Sequence, residues 1–124
     1  MSKKQEKIKC IANLSTMCSV SLAARREDGQ LKCIERYAKK HNYEIVEVIR
    51  RHGFGWKDVL EHFQNMAKKV RKKEAQAVIV INSLVVSESI EDIFRKAGMI
   101  QAAGGKLVSV DEGELNLGLL SRQV

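Results

Sequence analysis

The sequence has no segment suited to crossing or entering a membrane. No apolar run approaches the roughly 20 residues that span a bilayer, and the opening residues, MSKKQEK, lack the apolar stretch of a signal peptide. Internal repeats and low-complexity linkers are also missing, and 124 residues suit one domain. We therefore expect a single cytoplasmic domain over 1–124, with 1–7 as a basic leader and 111–124 as an irregular tail.

Residues that bind metals or form disulfides are scarce. The three cysteines include no C-x-x-C pair, and the three histidines are scattered without an H-x-x-x-H pair, so neither a disulfide framework nor a metal site is predicted. The G-x-G at 53–55 lacks the strand-to-helix setting and the third glycine of a dinucleotide site. We expect no metal and no cofactor.

Positive charge is the strongest compositional signal, with a formal net charge of +7. Such an excess attracts phosphates and speeds encounter with nucleic acid, although many basic proteins bind none. The run at 68–73 leaves two alternatives, a solvated helix end whose cations suit the negative helix terminus, or a phosphate-binding patch. Basic residues also come in pairs at Lys3-Lys4, Arg25-Arg26, Lys39-Lys40 and Arg50-Arg51.

Strand and helix patterns alternate along the chain. The apolar run at 77–81 is typical of a strand buried on both faces, and Ser89 and Asp92 have the spacing of a helix capping box. Gly29 weakens a first helix that starts at Ser21 or Asp28, and Gly104-Gly105 ends the third. The predicted strands are 8–14, 43–49, 77–81 and 107–110, and the predicted helices end at 41, 73 and 103.

The order βαβαβαβ indicates an α/β fold, a three-layer open sheet that is mainly parallel. Sites in such sheets form just beyond the carboxyl ends of the strands. The loops at 15–21 and 82–89 hold that position and are rich in hydroxyl side chains. The second helix is predicted from Lys57, after a mobile loop over 50–56.

Several segments resemble one family in order and spacing. IANLST at 11–16 looks like a Y-A-R-V-S-T motif, LEHFQNM at 60–66 resembles R-P-x-F-x-x-M, and AVIVINSLVVSES at 77–89 resembles a strand followed by D-R-L-S-R-S. KLVSVDEG at 106–113 is similar to a strand that ends in a glutamate. The chain thus resembles the catalytic domain of serine recombinases, the resolvases and invertases, which implies a resolvase-like fold.

The resemblance places Ser15 on the nucleophile that attacks a DNA phosphodiester. In the family, several arginines gather the phosphate and stabilise transition-state charge, a role that suits the paired donors of guanidinium. Here Asn13, Leu60, Ser83 and Val86 fall on arginine positions and Asn82 falls on the aspartate position. Losing one oxyanion donor typically costs roughly 2.7 to 4 kcal/mol, so we expect strand cleavage to be impaired or lost.

Four other arginines are candidates for phosphate contacts in place of the missing ones. They are Arg25, Arg26, Arg50 and Arg51. Only 14 residues follow Val110, where the family has a dimer-forming helix and a DNA-reading domain, so we expect no DNA-reading domain.

Two functions therefore stay open. The first is a serine-recombinase-like domain associated with site-specific DNA recombination of a mobile element. It would bind DNA through its basic surface but cleave it weakly or not at all, as a pseudoenzyme. The second is a non-enzymatic interaction module that pairs with a recombinase-like subunit, as a homo-oligomer or a heteromer.

Three further side chains have more than one interpretation. Cys18 precedes a helix as a phosphatase nucleophile would, but six residues separate it from Arg25 instead of the five of C-x-x-x-x-x-R, which favours a free thiol. Phe54 and Trp56 could stack on bases or cover an edge of the core. Ser15 itself could serve only in a turn or as a helix cap.

Overall fold

The computed structural model describes residues 7–16, 20–52, 56–83, 86–87 and 89–115. Its elements alternate as predicted and then add a short final strand. None of the described helices is apolar over enough length to cross a bilayer. In chain order the elements are β1 (Ile8–Thr16), α1 (Val20–Lys40), β2 (Tyr43–His52), α2 (Trp56–Arg71), β3 (Ala77–Val80), α3 (Ile90–Ala102), β4 (Lys106–Ser109) and β5 (Gly113–Glu114).

The five strands form one sheet in the order β2-β1-β3-β4-β5. All neighbours are parallel except β4 and β5, which are antiparallel. The predicted mainly parallel α/β sheet is therefore confirmed. The edge strand β5 lies within 111–124, the segment predicted as an irregular tail. The sequence did not predict this strand, because two residues are too few to show alternation.

Helices cover both faces of the sheet and make the three predicted layers. On one face, Ile34 of α1 packs with Cys10 and Ala12 of β1. On the other face, Phe63 of α2 and Ile93 of α3 pack around the apolar side chains of β1 and β3. Consecutive side chains of a strand point to opposite faces, so both sides of β1 and β3 are buried.

One residue of β2 breaks the regular pairing with β1. Cys10 is opposite Ile45, whereas Ile11 is opposite Glu47, so Val46 is an extra residue on β2. This is a β-bulge, and it changes which face the following residues of β2 share with β1. Val46 is 45% exposed.

Three predicted boundaries differ from the structure. The first helix runs unbroken through Gly29, because the packing of α1 outweighs the roughly 1 kcal/mol that a helical glycine costs. β2 extends to His52, so the prediction of a loop is wrong for 50–52, where the backbone pairs with β1. Trp56, the last residue of that predicted loop, begins α2, so the second helix starts one residue earlier than predicted, and 53–55 lie outside the described residues.

The two ends of α3 follow the predicted signals. The Ser89 side chain accepts a hydrogen bond from the Asp92 backbone N–H at 3.3 Å, which confirms the N-cap. Gly104 has a φ of 100°, a conformation that favours glycine. A Cβ on Gly105 would lie 2.7 Å from a methyl carbon of Val70 and 2.8 Å from the Gln76 carbonyl oxygen, so only glycine fits there.

Candidate functional site

The carboxyl ends of β1, β3 and β4 lie at one edge of the sheet, which we call the carboxyl edge. Ser15 lies in β1, one residue before its end, and its backbone is opposite Arg51 of β2. The structure thus places the backbone of Ser15 at this edge, inside the strand and not in the loop that follows. The side chains of Ser15 and Arg51 lie outside the described part of the structure.

Asn13 stands two residues before Ser15, at the first arginine position. Its side chain is only 3% exposed, and its Oδ1 atom has no hydrogen-bond partner among the described residues. An unpaired buried carbonyl oxygen typically costs about 1–3 kcal/mol. Position 13 therefore offers a neutral, buried amide where the family has a guanidinium.

Ser83 follows β3 at another arginine position and contacts a carboxylate. Its hydroxyl donates to Glu112 at 2.8 Å, and its backbone N–H donates to the same side chain at 2.6 Å. The buried Ser109 hydroxyl also donates to Glu112, at 2.9 Å. Three donors therefore hold one negative charge at this edge, which opposes the approach of a phosphate. The neighbouring Asn82 is half-buried.

Val86, at the third of these positions, is fully buried, and its carbonyl oxygen accepts a hydrogen bond from Lys96 at 3.0 Å. The Lys96 side chain is 1% exposed, and its ammonium lies 2.5 Å from an Asp92 carboxylate oxygen and 5.9 Å from the centre of the Phe63 ring. The cation nearest to Val86 is thus neutralised by Asp92 and enclosed in the core.

The pKa of Asp92 reflects this contact. Burial raises the pKa, but the hydrogen bonds from Lys96 and Ser87 and the positive charges of Lys96 and Arg95 together lower it below its ordinary value. The sequence offered one signal for Lys96, since it directly precedes the buried Ala97 and lies three residues after the buried Ile93. The contact of Glu112 with Ser83 joins residues 29 apart and gives no sequence signal.

The candidate substitute arginines differ in availability. Arg50 donates to Asp28 at 2.9 Å and lies 3.7 Å from Glu27, whose side chain is fully buried. Arg25 and Arg26 are exposed on α1. Arg50 is therefore held by the carboxylates of α1, whereas Arg25 and Arg26 remain open to solvent.

Leu60, the last arginine position, is half-buried in α2, and the family-like Phe63 and Met66 that follow it are fully buried. No group of three or more potential metal ligands occurs among the described residues. Cys10 is buried in β1, and burial together with the Glu44 charge raises its pKa to about 11, so its thiol is protonated at neutral pH. Cys18 and Phe54 lie outside the described residues, as does the side chain of Trp56.

Three solved structures resemble this chain in fold. A resolvase family site-specific recombinase from Streptococcus pneumoniae has a TM-score of 0.76 at 19% identity, over 94% of this chain and 83% of that one. The N-terminal catalytic domain of TP901-1 integrase has a TM-score of 0.68 at 16% identity, over 85% of this chain and 78% of that one.

The third is the C-terminal catalytic domain of ISC1926 TnpA, an IS607-like serine recombinase. Its TM-score is 0.64 at 19% identity, over 83% of this chain and 67% of that one. No protein-family model and no curated protein sequence matches the chain. At these identities the similarity establishes a shared fold.

Proposed function

We propose that this chain, which has the fold of a serine recombinase catalytic domain, is a recombination-associated domain of mobile-element origin with impaired or lost DNA cleavage. The observation that carries the proposal is the state of the arginine positions. Asn13 and Val86 are buried, Leu60 is half-buried, and Ser83 donates to Glu112. None of these side chains can supply positive charge to a phosphate.

Cleavage by a serine requires charge stabilisation that the described side chains at the arginine positions of this edge do not supply. The serine oxygen forms a bond to phosphorus as its proton leaves, and the bond from phosphorus to the departing sugar oxygen breaks. Negative charge on the phosphoryl oxygens rises in the transition state and needs nearby donors. Without them, each missing contact lowers the rate by about a hundred- to a thousandfold, although such effects are not additive.

A denaturing-gel assay for a covalent protein-DNA adduct tests the proposal. Supercoiled DNA is incubated with the chain and with its Ser15→Ala variant, and an active serine recombinase serves as positive control. We expect no adduct from either form of the chain. An adduct that Ser15→Ala abolishes would overturn the loss of cleavage and show that other residues replace the arginines.

The register suggests which cation to test if an adduct forms. Arg51 is opposite Ser15 in the β1–β2 pairing, whereas Arg50 contacts Asp28. An adduct that Arg51→Gln abolishes and Arg50→Gln retains would identify Arg51 as the substitute. We also propose a cytoplasmic location for the chain.

The second candidate is an interaction module that pairs with another recombinase-like subunit. It is favoured by apolar side chains that the described surface leaves exposed, Val46 and Val48 on β2 and Ile90 and Phe94 on α3. Light scattering at high concentration, alone and with a full-length recombinase, tests it. Only monomers in both experiments would remove its support.

A further inference from the structure

The opposite edge of the sheet, where β1, β3 and β4 begin and α2 ends, carries a group of cations. We call Lys9, Arg71, Lys72 and Lys73 the amino-edge patch. Lys9, Arg71 and Lys73 line a depression of about 500 Å³ that has no carboxylate among its lining residues. Lys72 lines an adjacent depression of about 430 Å³.

The backbone brings these cations together from distant parts of the sequence. The Gln76 backbone N–H donates to the Lys9 carbonyl oxygen at 2.7 Å, and the Lys9 N–H donates to the Gln76 side chain at 3.2 Å. The start of β1 is thereby fixed beside the turn that follows α2. Arg71, Lys72 and Lys73, which are consecutive in the sequence, therefore form one surface with Lys9 of β1.

The patch cations form no ion pair among the described residues, although Glu74 lines the same depression as Lys72. All four side chains are exposed. The neighbouring Lys69 does pair, with Glu47, which shows that α2 can neutralise a lysine where a carboxylate is in reach. Unpaired exposed cations remain available to an external anion.

Stabilisation of the helix terminus accounts for only part of this arrangement. Cations in the last turn of α2 suit the negative end of the helix dipole, an effect that fades within one turn. Lys9 belongs to β1 and gives no such benefit. Lys73 has a φ of 65° as part of the turn that ends α2, where its N–H donates to the Val70 carbonyl oxygen at 2.9 Å and the Glu74 N–H donates to the Lys69 carbonyl oxygen at 3.0 Å. The contribution of Lys9 from another element favours the phosphate-binding alternative for the run at 68–73.

We propose that the amino-edge patch binds the phosphate backbone of duplex DNA, on the side of the sheet opposite Ser15. The patch favours a duplex over a single strand, because single-strand binding relies on exposed aromatic rings beside the cations. No described aromatic ring belongs to the patch: Tyr43 is buried, the ring of Tyr37 is stacked against Tyr43 and His41, and the exposed Phe94 lies near the start of α3. Binding through phosphates is independent of base sequence and weakens as salt rises.

The charges and apolar groups also separate DNA from a membrane. The exposed large apolar side chains of the described residues lie on β2 and at the start of α3, and none belongs to the patch. An interfacial membrane site needs such side chains beside its cations. The patch requires no cleavage chemistry and therefore does not depend on the proposed function.

Two variants that lose equal charge test the assignment. One carries Lys9→Gln, Arg71→Gln and Lys72→Gln, with Lys73 kept because of its backbone conformation. The matched control carries Lys32→Gln, Arg36→Gln and Lys40→Gln, which neutralise three exposed cations of α1. Circular dichroism melting confirms that both variants fold. Fluorescence anisotropy with a short duplex then gives the affinity between ~50 mM and ~200 mM salt.

We expect the patch variant to lose about tenfold or more in affinity while the control stays near the parent protein. Its plot of log affinity against log salt becomes less steep by up to about 2.7, at about 0.9 for each lost phosphate contact. Equal losses in both variants, a loss only in the control, or no duplex binding by the parent would each overturn the proposal. Binding to phosphatidylserine vesicles without binding to duplex would also overturn it.

The same titration with Ser15→Ala keeps this proposal separate from the proposed function. We expect unchanged duplex binding in that variant, since the patch lies at the other edge. A covalent adduct from the parent protein would contradict the loss of cleavage and leave the patch result untouched. A drop in duplex affinity with Ser15→Ala would overturn the placement of the DNA on the amino edge.

Discussion

The two edges of this sheet treat charge in opposite ways. At the carboxyl edge, where parallel sheets usually place their sites, Ser83 and Ser109 surround Glu112, and Asp92 neutralises Lys96. At the amino edge, the patch cations have no such partners among the described residues. Polar groups that satisfy each other stabilise the fold, whereas unpaired cations are available to a ligand. If the patch binds DNA as we propose, the binding surface of this chain is not the edge where parallel sheets usually place their sites.

Lys96→Met is the strongest way to break this contrast. The substitution leaves Asp92 and the Val86 carbonyl oxygen without their buried donor. We expect a loss of about 2–3 kcal/mol in the free energy of unfolding, below the roughly 3–5 kcal/mol of a fully buried pair because the Asp92 side chain is 28% exposed. Urea denaturation measures it.

Arg95→Met is the matched control for Lys96. Arg95 lies 3.7 Å from the same carboxylate, but its side chain is 69% exposed. Surface ion pairs contribute about 0–1 kcal/mol, so we expect little change. Equal losses for the two variants would mean that the carboxyl edge is not held by a buried cation.

Glu112→Gln tests the hydroxyl and carboxylate contacts of the carboxyl edge. A neutral amide accepts fewer hydrogen bonds than a carboxylate, so the contacts from Ser83 and Ser109 weaken. Because Glu112 is itself exposed and water replaces part of the lost contacts, we expect a loss of about 1 kcal/mol in the free energy of unfolding. The exposed neighbour Asp111 provides the control, Asp111→Asn, which should stay within about 0.5 kcal/mol of the parent. A neutral Glu112→Gln would show that the three donors do not stabilise this edge.

Asn13→Leu tests whether an unsatisfied buried polar group at the carboxyl edge destabilises the fold. Leucine branches at Cγ as asparagine does, with larger terminal groups, and removes the buried Oδ1 that lacks a partner among the described residues. We expect thermal denaturation to show a gain of about 1 kcal/mol, the lower end of the cost of an unsatisfied buried group. A clear loss of stability would reveal that Asn13 has a polar partner that it needs.

The smallest expected effect concerns pH. The folded pKa of Asp92 lies below its ordinary value, so its contribution is complete above the unfolded pKa and disappears as pH falls through the folded pKa. The difference in stability between the parent and Asp92→Asn should therefore shrink below about pH 4. Denaturation curves between neutral and acidic pH measure that difference. A constant difference would contradict the assigned role of Lys96.

The sequence allowed much of the fold to be predicted, because local patterns carried it. The apolar run of β3 indicated a central strand, and Ser89 marked the start of α3. The continuity of α1 through Gly29 could not be predicted, since packing against β1 decides it. The length of β2 depends likewise on pairing with β1 beyond Ile49.

The candidate site was predictable only in part. The position of Ser15 at the carboxyl edge followed from strand order and motif spacing. The neutralisation of Ser83 by Glu112 could not be predicted, because it depends on a contact between distant loops. The contribution of Lys9 to the amino-edge patch similarly needs the backbone contact with Gln76.

The bulge at Val46 decides which face of the sheet each later residue of β2 occupies. With it, Glu47 shares a face with Ile11 and reaches Lys69 of α2, and Arg50 shares a face with Leu14 and reaches Asp28 of α1. If β2 paired with β1 without the bulge, Val46 would lie opposite Ile11, and every later residue of β2 would move to the other face of the sheet. Both ion pairs would then be lost together, because Glu47 would face away from α2 and Arg50 away from α1.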